Sequence, residues 1–146
     1  MKSEPTEVVK AYIAGIIDGE GWIGIAVRQR ANRKCKTPSF VVSVAVSMTE
    51  YNAVELIAEF YEGSVSEYHR EGKRSYKKFD ATGTQVGELL ESIKPYIRIK
   101  SSQLKLALQF LQLPTFRGEP VPEWATEIRT YVSDEMKKLN QHKGGD

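Results

Sequence analysis

Very little in this chain can hold a soft metal or form a crosslink. Cys35 is its single cysteine, and His69 and His142 are its only histidines. That excludes an internal disulfide framework, a cysteine-rich zinc site and a histidine cluster. No apolar run approaches the ~18 residues that a membrane span needs. Residues 1–7 carry acids and lack a short apolar core, so neither a secretory signal nor a transit peptide is expected. Low-complexity segments and sequence repeats are absent. What remains is 146 residues, 40% hydrophobic and 27% charged, which suits one packed domain over residues 1–146 with a flexible tail at 141–146. The expected setting is intracellular, cytoplasmic or organellar if an organelle genome encodes the chain. Neither a membrane nor a small-molecule cofactor is expected as a partner.

Acids are missing from two stretches. Residues 21–49 hold Arg28, Arg30, Arg33, Lys34 and Lys36 without an acid, and residues 94–105 hold Lys94, Arg98, Lys100 and Lys105 without one. The two stretches carry +9 of a net +2, which leaves −7 elsewhere. Separated basic and acidic surfaces of this kind point to a polyanion such as nucleic acid.

Hydrophobic periodicity predicts a helix over residues 6–19, capped by Ser3 or Thr6. One stripe of it is Val9, Ile13, Ile16 and Ile17, and a second is Val8, Tyr12, Gly15 and Gly19. The period then becomes two, with Ile23, Ile25 and Val27 on one face and Gly24, Ala26, Arg28 and Arg30 on the other. A turn at 31–38 leads to a strand at 40–48, with Val42, Val44, Val46 and Met48 facing the core. Thr49 is expected to cap a helix over 50–61. Strands at 64–69 and 75–81 flank a hairpin turn at 70–74. Thr84 should cap a helix ending at Ile93, and Pro95 breaks it. Ser101 or Ser102 should cap a central helix bearing Leu104, Ala107, Leu108, Phe110 and Leu111. A last helix over 122–139 carries Trp124, Ile128, Tyr131, Val132, Met136 and Leu139. Helix–hairpin–helix–hairpin–helix is an α+β layer whose antiparallel sheet has helices on one face only.

The segment that carries chemistry is Ile13-Ala14-Gly15-Ile16-Ile17-Asp18-Gly19-Glu20-Gly21. The Gly15–Gly19 stripe is nearly bare of side chains, so another helix can approach its backbone closely. Glu20 lies just past the last turn, where unpaired carbonyls and the helix dipole already favour cations. A carboxylate there suits a hard divalent ion with oxygen ligands. Taken alone, Gly19-Glu20-Gly21 reads more readily as a glycine C-cap and tight turn. An EF-hand loop and a phosphate loop are both excluded by the missing acids and the missing Gly-Lys-Ser/Thr.

Residues 13–21 resemble the nine-residue motif of the LAGLIDADG homing endonucleases, with Ala14, Gly15, Ile17, Asp18 and Gly21 matching letter for letter. Ile13 and Ile16 stand for leucine, Gly19 for the small seventh residue, and Glu20 for the catalytic aspartate. The resemblance implies an αββαββα fold with a saddle-shaped sheet and intron-encoded, site-specific double-strand DNA cutting. It also implies a Mg²⁺ ion, replaceable in vitro by Mn²⁺ or Ca²⁺, at Glu20 and Gly21. The stretch Tyr96-Ile97-Arg98-Ile99-Lys100 is similar to one that ends in a functional lysine, which makes Lys100 the second catalytic candidate. On sequence alone Lys100 reads equally as an exposed lysine ahead of a helix. Because one chain has one motif and a duplex has two strands, the resemblance implies a homodimer. Its seam is expected at Val8, Tyr12, Gly15, Asp18 and Gly19.

Sequence readout is expected from the sheet. Nine extended residues span ~30 Å, about nine base pairs of major groove, so two copies would cover roughly 20 base pairs of a pseudo-palindrome. The outward members of the alternation are the expected readers: Arg28, Arg30, Ser43, Ser47, Ser66, Tyr68, Arg74, Tyr76 and Lys78. Arg33 and Lys34 sit at the first hairpin tip, and Arg98 is expected to contact phosphate. A slip of one residue in the second hairpin would exchange Tyr76 and Lys78 for Ser75 and Lys77. Alternatives on the same scaffold are an intron maturase or RNA-binding protein, and a DNA-binding regulator without catalysis. A ribosome-associated α+β domain is the blandest.

Overall fold

The computed structural model describes residues 2–28, 37–116 and 120–141. Thr6 caps the first helix, its hydroxyl accepting the Val9 N–H at 3.2 Å, so Ser3 lies outside. Helix α1 spans Glu7–Glu20 and buries Ile13, Ala14 and Ile17 completely. The chain leaves it at Gly21, where an added Cβ would lie 2.8 Å from the Ile17 backbone, so glycine permits the immediate step into β1 (Gly21–Arg28). Strand β2 (Ser39–Met48), helix α2 (Tyr51–Phe60), and strands β3 (Ser64–Tyr68) and β4 (Tyr76–Thr82) follow. Helix α3 (Thr84–Ile93), a 3₁₀ turn at Lys94–Tyr96, α4 (Ser101–Leu111) and α5 (Glu123–Gln141) complete the chain. This is the expected αββαββα order with two further helices.

The strands form one antiparallel sheet in the order β1-β2-β4-β3. Its inner face carries Ile23, Ile25, Val42, Val44, Val46, Phe79 and Ala81, all buried against helix residues such as Ile17, Ile57, Leu89, Leu90 and Leu104. Each fully buried aliphatic of this kind contributes roughly 1.5–3 kcal/mol. Such a core needs helices on one side only, and the pleat turns every second strand residue to the other face. No helix among the described residues is long and apolar enough to cross a membrane.

Several boundaries differ from expectation for local reasons. Pairing of Met48 with Lys77 keeps the chain extended late, so Glu50, not Thr49, holds the cap position of α2. Gly83, at φ 59°, precedes α3 in a left-handed conformation that suits glycine, which places Thr84 inside the helix. Lys100, not Ser101 or Ser102, stands at the α4 cap, and its carbonyl accepts the Leu104 N–H at 2.9 Å. In α4 Leu104 and Ala107 are buried, and Leu106, Leu108, Phe110 and Leu111 are half-buried against the core between α3, α5 and the sheet. Helix α5 buries Met136 and packs Val132 on the core as expected, but it turns Ala125 and Ser133 inward and leaves Trp124, Ile128 and Tyr131 of the expected stripe exposed. Small residues let it pack closely, and Asn140 donates to the Ile23 carbonyl at 3.0 Å, covering part of the open edge of β1. Val27, near the end of β1, is partly exposed.

Candidate functional site

The inner turn of α1 is held from behind. Asp18 is only 9% exposed, and its carboxylate accepts the Arg98 N–H at 2.8 Å and the Lys100 N–H at 3.0 Å. The Lys100 ammonium in turn donates to the Asp18 carbonyl at 2.6 Å. Asp18, also expected in a seam between copies, lies one turn from Gly15 on α1, and within one chain its two oxygens are taken by these two backbone donors. Lys100 is thereby fixed beside the last turn of α1, the turn that ends in the exposed Glu20. Arg98 keeps an exposed side chain while its N–H is engaged. At the other end of α1 the Tyr96 hydroxyl donates to Glu7. That bond, and then Lys10, hold the Glu7 carboxyl below its ordinary range.

The second face of α1 is open. Val8 and Tyr12 are 79% and 57% exposed, and a Cβ added at Gly15 or Gly19 would meet nothing within 4 Å. Both observations describe a stripe with room beside it. Glu20 lies at the C-terminal end of the same helix, where backbone carbonyls point outward. Among the described residues, no three of His, Cys, Asp and Glu gather to hold a metal ion. The hard oxygen of Glu20 suits a divalent cation.

The outer face of the sheet is fixed by register. Ser47, Lys78 and Ser66 form one row across β2, β4 and β3, and Tyr68 lies opposite Tyr76. Phe79 and Ala81 face the core, so Tyr76 and Lys78 face outward and the expected register holds. Lys77 takes the inner side, where hydrogen bonding to Glu55 raises its pKa. Arg28 shares the outer face near the end of β1 and is exposed. Ser43 also lies on that face but is only 8% exposed, which removes it from the accessible readers. Arg74 precedes β4, and its guanidinium lies 3.9 Å from Glu50 at the start of α2, away from the strand rows. Arg30, Arg33 and Lys34 lie outside the described residues.

Two features escaped the sequence reading. The rings of Tyr68 and Tyr76 stack at 4.9 Å, and Arg70 lies 4.8 Å over the Tyr76 ring. The pair could be foreseen from the register, but Arg70 sits in the turn and has no periodic signal. Asp80 places a carboxylate on the outer face, with one oxygen covered and without a partner. Trp22 packs its indole over Gly24 on that face, where an added Cβ would come within 2.0 Å of the ring.

No family model and no curated protein matches the chain. Solved structures do. I-CvuI in complex with the I-CreI target in the presence of Mg superposes with a TM-score of 0.73 at 21% identity, over 96% of this chain and 87% of that one. The archaeal intron-encoded homing endonuclease I-Vdi141I, complexed with DNA, gives 0.75 at 15% identity over 96% and 87%. The chain has the LAGLIDADG homing-endonuclease fold. The LAGLIDADG homing endonuclease I-SmaMI, bound to cleaved DNA, gives 0.56 at 18% identity over 94% of this chain but 43% of its own. In this fold, α1 with its bare stripe and the outer sheet face are separate surfaces on one frame.

Proposed function

We propose that this protein is a homodimeric, site-specific endonuclease that cuts both strands of duplex DNA with a divalent metal. One observation carries the reading. Glu20 is exposed at the end of a helix whose open stripe has room for a second backbone, and Lys100 is anchored to the same helical turn. Pairing two such stripes about a twofold axis brings two Glu20 carboxylates together, one for each strand. The match of this chain to less than half of I-SmaMI agrees with two copies doing the work of one longer chain. The I-CvuI complexes, in the presence of Mg and of Ca, support a hard divalent ion.

Glu20 would hold the ion, with Gly21 beside it leaving space for the phosphate. A bound Mg²⁺ supplies a lowered water pKa and neutralises phosphate charge. Lys100 directs a cation at the phosphate and stabilises the charge that develops there. Arg28, Ser47, Ser66, Tyr68, Tyr76 and Lys78 face the major groove, and Arg98 takes a backbone phosphate. Arg30, Arg33 and Lys34 belong to the same proposal as further DNA contacts. An origin within an intron, as for the archaeal neighbour, belongs to the same proposal.

Incubation with a randomised duplex library and Mg²⁺ tests it, with Glu20→Gln alongside. The unchanged protein should cut one family of sites with a regular stagger. Glu20→Gln should bind those sites within about threefold of the unchanged Kd while cutting at least about a thousandfold more slowly, the scale of losing metal-assisted catalysis. Tight binding of structured RNA without cutting of any duplex would contradict the reading.

A further inference from the structure

The bonds around Asp18 join the motif helix to a segment about 80 residues later in the chain. Arg98 and Lys100 are successive donors, at i and i+2, on a stretch with no partner strand, and Ile99 between them is 73% exposed. Asp18 accepts both of those N–H groups. A carboxylate that accepts two backbone donors is a strong, geometrically demanding anchor, because both oxygens must be aimed at once. The same residue presents its carbonyl to the Lys100 ammonium, so backbone and side chain of Lys100 are both set by one position of α1.

We infer that Asp18 is a positioning residue that acts through Lys100. It touches neither DNA nor the ion in this account; it fixes where the ammonium stands relative to Glu20, two residues further along the helix. The inference rests on the endonuclease reading above. Asparagine at position 18 keeps the volume but offers one acceptor oxygen, and its amide NH₂ would face a backbone donor. The 98–100 segment would then shift while the helix, its open stripe and the reading face remain.

A double-mutant cycle decides this, using a duplex from the library that the unchanged protein cuts. Single-turnover cutting and DNA affinity are measured for the unchanged protein, Asp18→Asn, Lys100→Met and the double variant. Asp18→Asn should slow single-turnover cutting at saturating protein by about ten- to a hundredfold, the scale of a misplaced catalytic group, and weaken Kd by no more than Arg98→Ala does. The double variant should cut no more slowly than Lys100→Met alone, which a merely structural role would not produce. Multiplicative losses, or an unchanged rate for Asp18→Asn, would overturn the inference while leaving the endonuclease reading standing. If Asp18→Asn does not fold, Asp18→Glu, which keeps the charge and both acceptors at a different reach, carries the same four-way comparison. Failure of the unchanged protein to cut any duplex overturns the reading and the inference together.

Discussion

A methyl group added at Gly15 meets open space, whereas one added at Gly24 lands on the Trp22 indole. The two glycines therefore respond oppositely to alanine. At Gly24 the ring must move, and Gly24→Ala should lose about 1–3 kcal/mol of stability in urea denaturation. At Gly15 the single chain gains helix propensity, up to about 1 kcal/mol. If that surface packs on a second α1, Gly15→Ala weakens pairing by about 1–3 kcal/mol, roughly five- to 150-fold in dimer affinity by sedimentation. A stabilised variant with undiminished pairing would remove the stripe from the seam. At this scale the sequence exposed Glu20 and the two bare glycines directly, because their spacing is fixed by the helix itself. The bonds of Asp18 were not foreseen for a plain reason: its partners, Arg98 and Lys100, lie far away in the chain, and no local pattern reports a bond to their backbones.

Elements turn these residues into surfaces. Strand register assigns Lys78 and Ser66 to the outer face and Lys77 to the inner one, so adjacent lysines on β4 have different expected roles. Lys78→Gln should alter the preferred base at one position of the cut site, a discrimination worth about 1–3 kcal/mol. Arg98→Ala should weaken binding across all sequences and lower the slope of log Kd against log salt by about 0.9, as for one lost phosphate contact. Library sequencing and salt titrations separate the two, and a base-specific effect at Arg98 would contradict its assignment to phosphate. The strands were legible because their alternation has a short period and one face is buried. The last helix was legible only in part: Val132 and Met136 pack inward as expected, but Trp124, Ile128 and Tyr131 look like core while the small Ala125 and Ser133 take the inner positions. Similarly, the α4 cap passed to Lys100 because Asp18 holds the chain there.

Across the whole molecule, one face of the sheet is closed by helices, the other carries polar rows, and α1 ends beside both. The fold followed from element order and burial pattern, and the solved homing endonucleases share it over nearly the entire chain. Pairing has no signature in a single chain beyond the unfilled stripe, and the proposed cutting of both strands depends on it. Sedimentation of the protein on its cut-site duplex, with Ca²⁺ in place of Mg²⁺ to hold the complex uncut, measures it directly. Two chains should occupy each duplex, with Gly15→Ala shifting the assembly towards one. A single chain bound to each duplex, in a preparation that severs both strands once Mg²⁺ is added, would contradict it.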